Sequence, residues 1–96
     1  MLFNLGRLLM TSGVATIMED SETRTEISKC IKRHMTGDFG ELCDFDKNEN
    51  SLVLENGFIH GRIFSKYNLD SGDAIYIITE KVNVGNQTTI LFPSEY

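Results

Sequence analysis

The hydrophobic pattern of the last third of the chain predicts an antiparallel β meander. Three runs rich in β-branched and aromatic residues, Arg62–Leu69, Ala74–Val82 and Gln87–Phe92, are separated by turn-forming stretches at Asp70–Asp73 and Asn83–Asn86. The first half of the middle run is apolar on both strand faces, which is typical of a central strand covered by another layer. The first sixty residues must supply that layer.

The N-terminal part predicts one strand followed by a short helix. Leu2–Met10 is short and apolar, so it is predicted to form a strand that pairs with either open edge of the meander. Thr11 is a predicted N-cap for a helix over Ser12–Glu19.

Two further helices are predicted before the meander. Thr23-Arg-Thr-Glu26 matches a capping box at the start of the second helix, and Gly37 is predicted to end it. The third helix is predicted over Asp44–Asn56, with Phe45, Leu52 and Val53 facing the core. The apolar stripe of the second helix consists of Ile27, Cys30, Ile31, His34 and Met35.

This order of elements predicts a single α+β domain spanning residues 1–96, with the helices packed on one face of the antiparallel sheet. Ser65, Thr79 and Thr88, or their neighbours, are then expected on the opposite face, exposed to solvent or to a partner. The strands are too apolar to alternate cleanly, so the pattern leaves open which set of side chains faces the helices.

The charge distribution adds a candidate surface. The net charge is −5, and the stretch from Asp38 to Glu55 carries six acidic residues against one basic residue, Lys47, so this stretch alone accounts for −5. A surface of this sign repels phosphates, which argues against direct nucleic-acid binding. It is interpreted either as a solvated helix face or as an acidic interaction surface formed by Glu41, Asp44, Asp46 and Glu49.

The two cysteines and the hydropathy indicate a cytoplasmic protein. Cys30 and Cys43 form no CxxC pair and lie in segments that look helical, which favours reduced thiols over a disulfide framework. The N-terminal apolar run is interrupted by Gly6 and Arg7 and lacks the features of a secretory signal. No run approaches the ~20 apolar residues that span a bilayer, so no membrane association is expected.

His34 and Asp38 are the first candidates for chemistry. A histidine beside carboxylates, here Asp38, Asp44 and Asp46, could bind a metal or act as an acid–base pair, but the spacing matches no established motif. Because His34 lies on an apolar stripe, the favoured interpretation is a buried imidazole hydrogen-bonded to backbone or to Asp38. Asp38 is alternatively expected to cap the turn that follows it. No metal or other cofactor is predicted.

Arg62 and Glu80 are the second candidate pair. They are expected to face each other across neighbouring strands, where a cross-strand ion pair is the structural interpretation. The functional alternative is an arginine that binds an anion and is positioned by the carboxylate.

Six fragments of the sequence are distinctive when taken together. They are Leu5-Gly-Arg7, Thr11-Ser-Gly-Val-Ala15, Arg33-His-Met-Thr-Gly-Asp-Phe-Gly40, Arg62-Ile-Phe-Ser-Lys-Tyr67, Ile77-Ile-Thr-Glu80 and Thr88-Thr-Ile-Leu-Phe-Pro-Ser-Glu-Tyr96. Together they resemble a family of small prokaryotic proteins that are labelled "plasmid related" or type I restriction subunit. The resemblance covers nearly the whole chain and implies an origin in a plasmid, a prophage or a bacterial chromosome, while it implies no biochemical activity. Ile59–Gly61 and Lys81–Gln87 depart from the family pattern.

These observations support three functional hypotheses. The first is a non-enzymatic module that presents its acidic surface to a protein partner, one form of which is an inhibitor of a host defence or restriction system. The second is a small-ligand or nucleotide-binding protein, with hydrolytic activity in one version, that uses His34, Asp38, Arg62 and Glu80 around one cleft. The third is a homodimer that pairs exposed strand edges or sheet faces.

Overall fold

A computed structural model describes all residues, Met1–Tyr96, and confirms the α+β class. The sheet has four strands in the order β1-β4-β3-β2, because the N-terminal strand joins the meander by pairing in parallel with its last strand. The sheet is therefore mixed, with antiparallel pairing at β2·β3 and β3·β4. The elements are β1 (Arg7–Met10), α1 (Ser12–Ile17), α2 (Ser21–Met35), α3 (Asp44–Glu55), β2 (Arg62–Asn68), β3 (Ala74–Val82), β4 (Gly85–Leu91) and a 3₁₀ turn (Pro93–Glu95).

The first strand is shorter than predicted because of the backbone at Gly6. Gly6 has φ +63°, and a Cβ atom there would lie 1.9 Å from the backbone oxygen of Asn86, so the chain bends sharply before β1 starts at Arg7. The apolar side chain of Phe3 turns instead into the core, where it is buried.

The first two helices begin at residues capped by a side chain, and one of the two predicted caps is wrong. Thr11 caps α1 as predicted, its Oγ1 accepting from the backbone N–H of Val14 at 3.3 Å. The predicted capping box at Thr23 does not form, because α2 begins earlier: Asp20 Oδ2 accepts from the N–H and the hydroxyl of Thr23, each at 2.9 Å. Gly37, at φ +90°, follows the end of α2 as predicted.

The side chains that face the helices are the odd-numbered positions of β2 and β3 and the even-numbered positions of β4. This settles the alternation that the sequence left open, and it places Ser65, Thr79 and Thr88 on the covered side, with no solvent exposure. Of the two alternatives, the outward orientation of these three residues is therefore wrong, and the neighbouring positions of each strand point to the uncovered face. The main core consists of Val14, Ile27, Cys30, Tyr67, Leu69, Ile75, Ile77 and Ile90.

The third helix has the predicted position but a different rotation about its axis. Phe45 is 71% exposed and Leu52 is 51% exposed, so the prediction that they face the core is wrong, whereas Val53 does pack against the second core cluster. Asn50 is buried in their place, at 2% exposure. None of the helices has the length and apolarity needed to cross a membrane.

Candidate functional site: the acidic face of α3

The predicted acidic residues lie on the surface at and near the start of α3. Asp44, Asp46 and Glu49 are on the helix, Glu41 precedes it, and all four are exposed. Cys43 is the N-cap residue, and its thiol donates to Asp46 Oδ2 at 3.4 Å. Carboxylates in the first turn also interact favourably with the positive end of the helix dipole. The helix start therefore stabilises a concentration of negative charge.

Asn50 determines which face of α3 points outward. Its Nδ2 donates to the backbone oxygen of Phe64 at 2.6 Å, and its Oδ1 accepts from the backbone N–H of Phe64 at 2.9 Å. The amide thus satisfies an outward-facing donor and acceptor at the edge of β2, as a neighbouring strand would. Because successive helix residues are rotated by about 100°, this setting turns Phe45 and Leu52 toward solvent.

The solvent face of α3 consequently combines apolar and acidic side chains. Phe45 and Leu52 are seven residues apart and share one side of the helix, with Asp44 and Glu49 beside them. Exposed aromatic and aliphatic side chains within a charged surround are typical of protein-binding surfaces. This set is called the α3 face below and consists of Glu41, Asp44, Phe45, Asp46, Glu49 and Leu52.

A cleft of about 300 Å³ separates α3 from the start of β2. Asp46 and Glu49 line one side, and Arg62 and Phe64 line the other. The guanidinium carbon of Arg62 lies 5.7 Å from the ring centroid of Phe64 and 5.2 Å from that of Tyr96, at cation–π distance. Arg62 makes no ion pair, since the one ion pair of the chain joins Arg33 and Asp38, so the carboxylates of the cleft are left without a cationic partner.

His34 is buried as predicted, but its partners differ from those expected. Its Nδ1 lies 2.5 Å from Ser65 Oγ and its Nε2 lies 2.9 Å from Thr79 Oγ1. The hydroxyl of Thr79 is in turn 2.7 Å from that of Thr88, which donates to the backbone oxygen of Leu5 at 2.8 Å. The histidine therefore joins a buried hydrogen-bonded chain, called the His34 chain below, and its ring forms no hydrogen bond with backbone or with Asp38.

The His34 chain holds a neutral imidazole. Burial penalises the charged form and lowers the pKa of His34 from 6.5 to about 4. The Phe3 ring packs against the imidazole in a T-shaped arrangement, with the ring centroids 5.1 Å apart. Both ring nitrogens are hydrogen-bonded to hydroxyl groups, and the side chain has no solvent exposure. This histidine therefore links the helix to the sheet and is inaccessible to a ligand.

Asp38 acts as a turn residue. Its carboxylate accepts from Arg33 Nε at 2.6 Å and Nη2 at 3.0 Å, and this pairing lowers the pKa of Asp38. It also accepts from the backbone N–H of Gly40 at 3.3 Å, so it caps the turn after α2 as the sequence predicts. The Tyr67 hydroxyl donates to the backbone oxygen of Asp38 at 2.7 Å, which ties this turn to β2.

The four predicted binding residues do not share a site. Arg62 and Glu80 are partners in the β2·β3 register, yet they form no ion pair within 4.0 Å. Arg62 lines the cleft beside α3, while His34, Asp38 and Glu80 line none of the four cavities of the molecule. No group of three or more His, Cys, Asp or Glu residues is arranged to hold a metal ion. The single cleft required by the second hypothesis is therefore not formed.

Sequence reasoning missed the two apolar members of the α3 face and the residue that orients them. The sequence predicts Phe45 and Leu52, together with Val53, on the core side of the helix. The available signal was their spacing of seven residues, which places them together on one side but does not say which side. The polar Asn50 carries no sequence signature for pairing with a strand edge.

Comparison with known proteins gives no match: no family model, no curated protein and no solved structure is significantly similar to this chain.

Proposed function

We propose that this protein is a non-enzymatic interaction module that binds a protein partner through the α3 face. The observation that carries the proposal is the outward setting of Phe45 and Leu52 among carboxylates, at 71% and 51% exposure. Aromatic side chains provide most of the binding energy of many interfaces, and the charged rim contributes association rate and partner choice. The partner is then expected to offer an apolar pocket bordered by Lys or Arg.

A basic surface of that kind is the usual signature of a nucleic-acid site. The resemblance to the plasmid-related family suggests a cytoplasmic protein of a mobile genetic element or its bacterial host. Together these points favour an inhibitor that occupies the nucleic-acid site of a host defence nuclease or restriction system. The protein itself is proposed not to bind nucleic acid through this face, since its carboxylates would repel the phosphates.

The proposal is tested by affinity capture from a bacterial lysate with the full chain as bait. Three baits are compared with the unaltered chain: Phe45→Ser, a charge variant with Asp44→Asn and Glu49→Gln, and a control with Asp70→Asn and Asp73→Asn. The control removes the same charge from the exposed β2–β3 turn. Burying a phenylalanine side chain contributes about 1.5–3 kcal/mol, so Phe45→Ser is expected to weaken binding about tenfold or more.

The captured partner should be retained by the control and lost by both α3 variants, and its release should become easier at higher salt. The partner should also show reduced nucleic-acid binding or cleavage when the chain is added. Retention of the same partners by Phe45→Ser and by the charge variant would contradict the proposal.

Self-association is a second candidate, and the unequal sheet edges favour it. The β2 edge is occupied, since Asn50 pairs with Phe64, and the segment Phe39–Glu41 pairs with Lys66 through two backbone hydrogen bonds. No segment covers the outer edge of β1, where Leu8 is 42% exposed. A dimer through β1 would appear as a doubled mass in light scattering and would be removed by Leu8→Lys. A monomeric mass at high protein concentration would contradict it.

A further inference from the structure

The uncovered face of the sheet carries apolar side chains at positions where a solvated face usually carries polar ones. The buried side chains of α1 and α2 pack on the opposite face, and α3 lies along the edge of β2. An antiparallel sheet with one face in water usually alternates apolar and polar residues, so this departure favours a partner on the uncovered face. Its apolar residues include Leu9 of β1, Phe64 of β2, Tyr76 and Ile78 of β3, and Leu91 of β4.

Three aromatic rings lie at the surface of this face, above β2 and β3. The C-terminal turn places Tyr96 across the sheet, with its ring centroid 6.0 Å from that of Phe64 and 5.8 Å from that of Tyr76. The rings of Phe64 and Tyr76 are themselves 4.7 Å apart. Tyr96 remains 61% exposed although other rings hold it from two sides. Aromatic side chains in such a setting are typical centres of protein interfaces.

Arg62 and Glu80 lie beside these rings as two opposite charges that have no ionic partner. They are opposite each other in the β2·β3 register and both are exposed, yet no ion pair joins them. The guanidinium group of Arg62 instead lies at cation–π distance from Phe64 and Tyr96. One surface therefore presents an unpaired cation and an unpaired carboxylate at the same level of the sheet, so it is complementary in charge to a second copy of itself.

A two-fold axis that runs along the strands, between β2 and β3, would pair both charges. Such an axis lies in the plane between two face-packed sheets, so β2 of each copy lies over β3 of the other. Arg62 then faces Glu80 of the second copy, and the converse pair forms by symmetry. Phe64 faces Ile78 of the second copy at the next level. An axis between β3 and β4 would instead place Arg62 against Arg7, which carries the same charge.

We propose that the uncovered face is the contact surface of a homodimer whose two sheets pack face to face about the axis between β2 and β3. The three aromatic rings form the centre of this contact, and the two Arg62–Glu80 pairs between the copies fix its register. The contact goes beyond the proposed α3 face, and it leaves the outer edge of β1 uncovered.

The size of the face predicts a weak dimer. With four strands, and seven residues in β2 and β4, it measures about 20 Å by about 23 Å, so two copies would bury at most about 900 Å² in total. Stable interfaces usually bury about 1,200 Å² or more. The dimer is therefore expected to form in a concentration-dependent manner and to exchange with the monomer.

The test is sedimentation velocity of the full chain over a concentration series that reaches about 1 mM, the range in which a weak dimer is populated. Arg62→Glu and Glu80→Arg each replace two attractive contacts of the dimer by two repulsive ones. Each should therefore raise the dissociation constant by about tenfold or more. Lys29→Glu makes the same change of charge as Arg62→Glu on the exposed side of α2, and it should leave the dissociation constant unchanged.

A mixture of the two variants separates the contact between copies from effects within one chain. When the Arg62→Glu chain meets the Glu80→Arg chain, both contacts of the mixed dimer again join opposite charges. Within each chain the two like charges stay side by side, so a local loss of folding is not repaired by mixing. An equimolar mixture should therefore dimerise more strongly than either variant alone.

Several results would overturn the proposal. One is a chain that remains monomeric at about 1 mM. Another is unchanged dimerisation in Arg62→Glu and Glu80→Arg, and a third is a mixture that is no more dimeric than its separate components. Loss of the dimer in Leu8→Lys would assign the contact to the edge of β1 instead. Phe45→Ser should leave the dimer unchanged, so a failure of this proposal is distinguishable from a failure of the α3 face.

Discussion

Protonation of His34 should make the fold sensitive to mildly acidic solution. The imidazole has a folded-state pKa of about 4 against 6.5 for the ordinary side chain, because burial disfavours its charged form. Above pH 6.5 the histidine is neutral in both states and contributes no pH dependence. Between pH 6.5 and 4 the unfolded chain takes up a proton that the folded chain excludes, so stability falls as the pH falls.

The size of the effect follows from this difference in pKa. Each unit corresponds to about 1.4 kcal/mol, so the interval from 6.5 to about 4 corresponds to about 3 kcal/mol. A domain of this size is stable by about 5–15 kcal/mol, so the loss is a substantial fraction of the total. No ionised group compensates it, since both ring nitrogens face hydroxyls and His34 takes part in no ion pair.

The assay is urea unfolding followed by circular dichroism from pH 7.5 to pH 4.5, for the unaltered chain and for His34→Gln. The variant loses the titrating group, so its unfolding free energy should depend less on pH than that of the unaltered chain. Below pH 6 the two slopes should differ by about 1.4 kcal/mol per pH unit. His60→Gln is the matched control, because His60 is exposed and its removal should preserve the slope of the unaltered chain. The pairing of Arg33 with Asp38 lowers the pKa of the Asp38 carboxyl. The stability that this ion pair contributes is therefore lost at still lower pH, and the loss is common to all three proteins.

Parallel curves for the unaltered chain and His34→Gln between pH 6.5 and 4.5 would refute this reasoning. A second measurement covers the case in which the variant is too unstable to analyse. The ring protons of His34, followed by NMR in the folded unaltered chain, should titrate near pH 4. A His34 midpoint near 6.5 in the folded chain would contradict the stated cause.

Two further predictions concern the packing that positions the candidate sites. Asn50→Leu should destabilise the fold by about 2–4 kcal/mol, because it leaves the backbone N–H and oxygen of Phe64 unpaired, while Asn48→Leu on the exposed side of α3 should change little in urea unfolding. Gly6→Ala should cost more than Gly57→Ala, since both glycines have positive φ but only Gly6 would place a Cβ against backbone. Equal melting temperatures for the two alanine variants would contradict the account of the first turn.

The sequence predicts the strands well because their composition and turn chemistry agree. β3 has the predicted bounds, Ala74–Val82. β2 ends one residue earlier than predicted, and β4 begins two residues earlier and ends one residue earlier than predicted. The pairing of β1 with β4 could not be predicted, since four residues carry no information on which edge they will join. The start of α2 was misplaced because two capping residues, Asp20 and Thr23, lie within one turn and the side chain of the earlier one accepts from the later.

The remaining errors share one cause, namely that this fold buries polar side chains where hydrophobic periodicity expects apolar ones. Each buried hydroxyl or amide is favourable only because a partner from a distant segment meets it, as Ser65 meets His34 and as Asn50 meets the edge of β2. These hydrogen bonds are tertiary contacts between distant segments, so no local sequence pattern predicts them. Burial of a polar residue on α3 also displaces the apolar Phe45 and Leu52 to the surface. The α3 face is therefore a consequence of how the interior satisfies its hydrogen bonds, and replacing Asn50 should alter partner binding as well as stability.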